Sequence, residues 1–125
     1  MARVFLLRAK IAVAAIWLLF VPTIAMAEYD VKSALQAHDS ADPDNRKVWE
    51  LIFGNTYSGM RWANAALVSR KQQQLFCEPN NAVLTGPQVT EMLRAQLNAD
   101  PKFGDLPFGF AILVVLQIKF PCTAT

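Results

Sequence analysis

The chain has 125 residues, of which 54% are hydrophobic, and its formal net charge is +2. The positive excess lies in the first ten residues, where Arg3, Arg8 and Lys10 occur without an acid, and the rest carries nine basic and ten acidic side chains. The near-zero net charge of the residues after Lys10 argues against an extended surface that binds nucleic acids or membranes. The length suits a single domain with one core.

The first 27 residues have the three parts of a secretory signal peptide. Their basic start is followed by an apolar run from Ile11 to Val21, and then by the small-x-small sequence that ends at Ala27. The apolar run is 11 residues long, whereas a membrane-spanning helix needs about 20 residues. We therefore expect residues 1–27 to be a cleavable signal peptide, and the mature chain to be exported without a stable membrane anchor.

The chain has two cysteines, Cys77 and Cys122. In an exported chain an even pair of cysteines predicts a disulfide. Two thiolates and one distant histidine form a poor set of zinc ligands, so we expect no metal site. In the chain-entropy model, closing this loop stabilises the fold by roughly 4 kcal/mol, less any strain.

Residues 28–43 are interpreted as a polar lead-in that is partly mobile. Its first part, Glu28 to Ala37, predicts a short helix or a frayed arm, and the polar stretch after it contains Pro43. The helical domain is predicted to occupy residues 44–125.

From residue 44 onward the pattern predicts a long helix, with Asp44 or Asn45 as its cap. Side chains that recur every three or four residues define its buried face: Trp49, Ile52, Thr56, Met60, Ala63 and Leu67. Gly54 and Gly59 lie inside this helix, where glycine costs about 1 kcal/mol relative to alanine. We interpret the two glycines as a packing groove of small residues, in preference to a hinge.

The next helix is predicted to begin at the sequence Thr85-Gly86-Pro87-Gln88. Threonine serves as its cap, proline occupies the first turn, and glutamine follows three residues after the cap. Asp100 and Pro101 predict its end, since a residue before proline avoids helical angles. The buried stripe of this helix is expected at Val89, Met92, Leu93, Gln96 and Leu97.

The segment Phe108 to Phe120 is apolar nearly all round, which is typical of a helix at the centre of a bundle. Its β-branched content leaves a buried strand as the alternative. Together these elements predict an all-α, small single-domain helical bundle closed by one disulfide.

Residues suited to catalysis are few, and we expect no enzyme and no cofactor. His38 lies in the polar lead-in, where a solvated ring is a more economical interpretation than a general base. The acid pairs in the loops, Asp42 with Asp44 and Asp100 with Asp105, match no motif that would fix a water or a sugar. The remaining class of function is recognition of a partner at the protein surface. The loop from Glu78 to Gly86 is either such a recognition element or a plain connection between helices.

The motifs around the cysteines resemble those of the Rap/Tai immunity family. The resemblance covers roughly residues 46–122. Its motifs are Gly54-x4-Gly59-x2-Trp62-Ala63-Asn64, then Leu75-Phe76-Cys77-x-Pro79, and finally Phe120-Pro121-Cys122. The resemblance implies a helical, disulfide-closed periplasmic domain that protects a Gram-negative cell from cell-wall amidases delivered by type VI secretion.

On this basis we expect an immunity-type protein that occludes the active-site cleft of a peptidoglycan amidase. Its contacts are expected in two loops, at Glu78, Asn80, Asn81, Lys102 and Asp105. The alternative is a periplasmic stress-related or chaperone-like protein with the same fold and no amidase partner. The limited core of so small a domain also makes a homodimer plausible.

Overall fold

The computed structural model describes residues 28–79 and 82–123, so the signal peptide predicted at residues 1–27 lies outside the described residues. The all-α prediction is confirmed, because the described residues form four α-helices and a short 3-10 helix, without strands. In chain order these are α1 (Val31–Ser40), α2 (Pro43–Ser69), α3 (Gly86–Ala99), the 3-10 helix (Pro101–Asp105) and α4 (Phe108–Lys119).

Helix α1 belongs to the core, which differs from the interpretation of residues 28–43 as a polar lead-in. The Asp30 carboxylate caps the helix by accepting a hydrogen bond of 2.7 Å from the backbone N–H of Ser33. Val31 is completely buried and its N–H donates to the carbonyl of Leu106 at 3.0 Å. Because α1 also buries Ala34, the helical domain begins before residue 44.

Helix α2 begins earlier than predicted and is rotated relative to the predicted face. Asp42 caps it, in place of Asp44 or Asn45, and Pro43 fills the first turn. Its buried side chains are Phe53, Tyr57 and Asn64. The predicted core positions Ile52 and Ala63 are instead exposed. Both sides of α2 carry apolar residues, so the periodicity alone did not select the inner side.

Helices α3 and α4 agree closely with the sequence. The predicted capping box forms between Thr85 and Gln88, and α3 ends at Ala99 as expected. The segment from Phe108 is a helix and not a strand. Only one side of α4 is buried, however, because Phe110 and Ile118 are more than half exposed.

The glycines identify where α2 and α3 meet. A methyl group added at Gly54 would lie 3.4 Å from the backbone nitrogen of Gly86, so the packing groove predicted at Gly54 exists. A methyl group added at Gly86 would lie only 2.7 Å from the carbonyl carbon of Glu50. The same interpretation is wrong for Gly59, because no heavy atom of the described chain, apart from the adjacent backbone of α2, lies within 4 Å of the added group there.

We expect Gly86→Ala to destabilise the fold by about 1–3 kcal/mol, since the backbone of α2 leaves no room for a methyl group. Gly59→Ala should instead stabilise it by up to about 1 kcal/mol, because alanine is the better helix former and nothing obstructs it. Urea unfolding at low protein concentration measures both free energies. Equal stability of the two variants would contradict the close contact at Gly86.

Candidate functional site

The candidate site is the segment of residues 74–85 between α2 and α3, which we call the anchored segment. The predicted disulfide is present, and it joins Cys77 to Cys122 with 4.9 Å between their Cα atoms. Beside it the N–H of Cys77 donates to the carbonyl of Phe120 at 2.8 Å. Gln117 adds a side-chain hydrogen bond of 3.1 Å to the carbonyl of Leu75. One end of the segment is therefore tied to the end of α4 by a covalent bond and two hydrogen bonds.

Asn64 ties the same end of the anchored segment to α2. Its amide nitrogen donates to the carbonyl of Phe76 at 2.7 Å, and its amide oxygen accepts from the N–H of Leu75 at 2.8 Å. Asn64 is 94% buried and Phe76 is fully buried. A buried non-helical backbone needs partners for its polar groups, and here one side chain supplies two of them.

Tyr57 connects the two sides of the anchored segment. Its hydroxyl donates to the carboxylate of Glu78 and accepts from the N–H of Leu84 at 3.2 Å. Arg61 binds the other oxygen of Glu78 at 3.1 Å. Burial and the hydrogen bond to Glu78 raise the pKa of Tyr57, so its hydroxyl keeps its proton. The segment is thereby held on both sides of its central residues.

Glu78, the first predicted contact residue, differs in role from the prediction. Its carboxylate is engaged by Tyr57 and Arg61, and its side chain is only 11% exposed. Asn80 and Asn81 lie outside the described residues. Among the large apolar side chains described in the segment, Val83 is the most open to solvent, at 67% exposed.

Lys102 and Asp105, the other predicted contact residues, lie in the 3-10 helix and are exposed. Asp105 forms an ion pair of 2.8 Å with Lys32 of α1. Both side chains of this pair are more than half exposed, so water screens it and its contribution to stability is small.

The structure does not bring the two predicted contact loops together. The anchored segment precedes α3 and the 3-10 helix follows it, so the two loops lie at opposite ends of a helix of 14 residues. At the usual rise per residue these ends are about 20 Å apart. A partner that contacts both loops would have to extend along the whole of α3.

His38 is buried, so the prediction of a solvated histidine is wrong. Its Nδ1 lies 2.8 Å from a carboxylate oxygen of Asp39, and its Nε2 lies 3.7 Å from Glu50. Among the described residues Nε2 is the only buried side-chain nitrogen or oxygen without a hydrogen-bond partner. The ring also packs against Phe53, with 6.3 Å between the ring centroids. The predicted lead-in thus places a polar group inside the domain.

Arg94 of α3 joins this polar group to the opposite helix. Its two terminal nitrogens donate to the carboxylate of Asp39 at 2.9 and 2.8 Å. These hydrogen bonds are the main reason why the pKa of Asp39 is lowered from 3.8 to about 2, and His38 adds to the effect, whereas burial opposes it. The group therefore acts as an electrostatic connection between α1 and α3 that persists down to acid pH.

The residues that hold the anchored segment were missed by the sequence interpretation. Tyr57, Arg61 and Asn64 follow Phe53 at helical spacing, so a signal was present in the sequence. Polar side chains at this spacing are usually interpreted as exposed to solvent. The role of these residues was missed because it depends on residues 75–84, which follow the helix in the sequence.

We expect Asn64→Ala to destabilise the fold by about 2–3 kcal/mol, because it leaves an N–H and a carbonyl of the anchored segment buried without partners. Asn98→Ala is the matched control, since Asn98 is exposed on a helix and should change stability by less than about 0.5 kcal/mol. Chemical unfolding measures both values. Similar stability of the two variants would show that Asn64 does not hold the segment.

Comparisons with known proteins identify no relative of this chain. No family model, no curated protein and no solved structure matches the chain. The resemblance to the Rap/Tai immunity family stays a prediction. Within residues 28–79 and 82–123 no helix is long and apolar enough to cross a membrane. The same part of the chain contains no group of three or more His, Cys, Asp or Glu side chains placed to hold a metal ion.

Proposed function

We propose that this chain is an exported, periplasmic immunity-type protein that binds a peptidoglycan amidase of type VI secretion and covers its active-site cleft. The observation that carries the proposal is the double fastening of the anchored segment, by the Cys77–Cys122 disulfide and Asn64 at one end and by Tyr57 across its centre. The described residues held in this way, such as Cys77, Glu78 and Leu84, lose little conformational entropy when a partner binds, so more of the contact energy appears as affinity.

The surface beside the anchored segment suits a protein partner. A shallow depression of about 350 Å³ is lined mainly by apolar groups, among them Leu84, Pro87 and Met92. Val83 protrudes at the same end of α3. Apolar side chains at the centre of a contact, with polar residues around them, are typical of protein interfaces. The mechanism would be steric occlusion, without turnover and without a cofactor.

The contact set differs from the one predicted from sequence. Glu78 supports the segment from inside, so Val83 and the depression at Leu84 are the better contacts. Lys102 and Asp105 are a separate surface at the far end of α3, and a partner would reach them only by extending along that helix.

The test is capture with the tagged protein from extracts of its own strain and of competing strains, followed by an inhibition assay with the captured hydrolase. We expect a single stoichiometric peptidoglycan amidase that loses activity in the complex. Val83→Glu should weaken inhibition at least tenfold, because a charge would be buried at the contact. Ile118→Glu is the matched control, since Ile118 is similarly exposed on α4.

Two results would contradict the immunity proposal. An amidase that binds but keeps its full activity would exclude occlusion of the cleft. Equal loss of inhibition by Val83→Glu and Ile118→Glu would place the contact away from the anchored segment.

The second candidate, a chaperone-like protein that opens in acid, is favoured by the connection between Asp39 and Arg94. Since the pKa of Asp39 is lowered in the folded state, the connection stabilises the fold above the ordinary value of 3.8 and is lost as the pH falls toward 2. The Asp39 side chain is about half exposed, so screening by water leaves a contribution of about 1 kcal/mol.

This candidate predicts that binding of an apolar dye rises as the pH falls from about 4 to 2, as Asp39 takes up its proton. Arg94→Met should move the rise to higher pH, whereas Arg70→Met, at an exposed arginine, should not. The acid-treated protein should also keep a client enzyme soluble. Unchanged dye binding over this range would exclude the acid-opening mechanism.

A further inference from the structure

The indole of Trp62 on α2 is the most exposed large apolar side chain in the described part of the protein, at 75%. On a helix the nearest side chains are those three and four positions away. At these four positions the chain carries Ser58, Gly59, Ala65 and Ala66. All four are small, so no neighbour along the helix is large enough to cover the indole ring.

Gly59 keeps one approach to the indole open. A helical side chain leans toward the N-terminus, over the turn that precedes it, so Trp62 lies on the side of Gly59. Apart from the adjacent backbone of α2, no heavy atom of the described chain lies within 4 Å of a methyl group added at Gly59. Glycine costs about 1 kcal/mol relative to alanine in a helix. An accessible indole gives this glycine a role that core packing does not.

Arg61 lies beside the indole, and its guanidinium is held in place from the inner side. Its Nε donates to the carboxylate of Glu78 at 3.1 Å, and its central carbon lies 5.8 Å from the centroid of the Tyr57 ring. Among residues 28–79 and 82–123 this is the only hydrogen bond of the guanidinium, and the side chain is 41% exposed. The two terminal nitrogens can therefore bind a carboxylate through a pair of hydrogen bonds.

Two shallow depressions meet at Arg61. One of about 250 Å³ is lined by Ser58, Arg61, Trp62 and Ala65. The other, of about 200 Å³, has Arg61 and Gln74 in its lining. Both volumes lie below the usual range for pockets that bind drug-sized molecules. The pair of depressions therefore suits a small ligand of about one or two rings.

The charges around the indole favour a ligand with a single negative charge. From residue 48 to residue 69 the only charged side chains are Glu50 and Arg61. Glu50 lies 3.7 Å from the buried His38, so Arg61 is the charge at this surface. A polyanion such as a nucleic acid is bound by several basic side chains together. One guanidinium matches one carboxylate.

We propose that Trp62 and Arg61 form a binding site for an acidic sugar, in which the sugar ring stacks on the indole and its carboxylate binds the terminal nitrogens of Arg61. The face of an indole carries partial negative charge, which attracts the C–H hydrogens on one side of a sugar ring. The hydroxyl of Ser58 and the amide of Gln74, in the lining of the two depressions, provide hydrogen bonds for the ring hydroxyls. Glu78 is a positioning residue, because it orients Arg61.

A sugar ring with one carboxylate has two sources at a bacterial cell surface. N-acetylmuramic acid belongs to the cell wall, and uronic acids belong to acidic polysaccharides. Both present the same pair of groups, a ring for the indole and a carboxylate for the guanidinium. This inference does not depend on the amidase proposal, because its test needs only the purified protein and free sugars.

NMR titration tests the site, with protein purified from cells that express the full chain and with its N-terminus identified by mass spectrometry. The indole N–H resonance of Trp62 reports binding of N-acetylmuramic acid, glucuronic acid or N-acetylglucosamine. We expect at least one acidic sugar to bind at least tenfold more tightly than N-acetylglucosamine, which has no carboxylate. Tighter binding of N-acetylmuramic acid would identify the cell wall as the source, and tighter binding of glucuronic acid would identify a polysaccharide.

Variants separate the two contacts of the ligand. Gly59→Leu should weaken binding of the acidic sugar at least tenfold, because its side chain would obstruct the indole. Arg61→Gln should abolish the preference for an acidic sugar over N-acetylglucosamine, because glutamine carries no charge. Leu51→Ala is the control and should leave the affinity unchanged, since Leu51 is also an exposed apolar residue of α2, at 62%.

Gly59→Leu keeps the test decisive, because leucine is a better helix former than glycine at an open position and the variant should fold at least as well. Circular dichroism checks that each variant is folded. Three results would overturn the proposal: no binding of either acidic sugar, equal affinity for acidic and neutral sugars, or an affinity that Gly59→Leu leaves unchanged.

Discussion

The buried amide of Asn64 is the interaction on which the arrangement of the domain depends most. It satisfies the N–H of Leu75 and the carbonyl of Phe76, in a segment that has no helix to supply partners. With these groups paired, Phe76 can enter the core fully and Cys77 reaches the end of α4. Tyr57 extends the same principle to Leu84, at the start of α3. Helix α2 thus also positions the segment that follows it.

Helix α2 therefore has two different sides. Its inner side carries aromatic and polar groups, Phe53, Tyr57 and Asn64, which serve the core and the anchored segment. Its outer side carries Val48, Ile52 and Trp62, which are exposed. Apolar residues therefore lie on both sides of α2, whereas a surface helix usually carries polar residues on its outer side. The polar group on the inner side, Asn64, meets the need to pair buried backbone groups there.

The group formed by His38, Asp39 and Arg94 has a different physical character. The ion pair of Asp39 with Arg94 joins α1 to α3, whereas the anchored segment combines a disulfide and neutral hydrogen bonds with the ion pair of Glu78 and Arg61. Charged connections respond to pH and neutral ones do so much less. The two proposed functions depend on these two different regions.

The sequence by itself determined the all-α class, the pairing of Cys77 with Cys122, and the limits of α3 and α4. These features depend on interactions within four residues along the chain, such as the capping box at Thr85 and Gln88, or on there being only two cysteines to pair. Tertiary structure decided which side of α2 faces inward, because apolar residues occur on both sides and periodicity does not distinguish them. It also decided the burial of His38 and the internal role of Glu78. Both roles require partners that are distant in sequence, Glu50 and Arg94 for the histidine group and Tyr57 for Glu78, and only the folded chain brings those partners close.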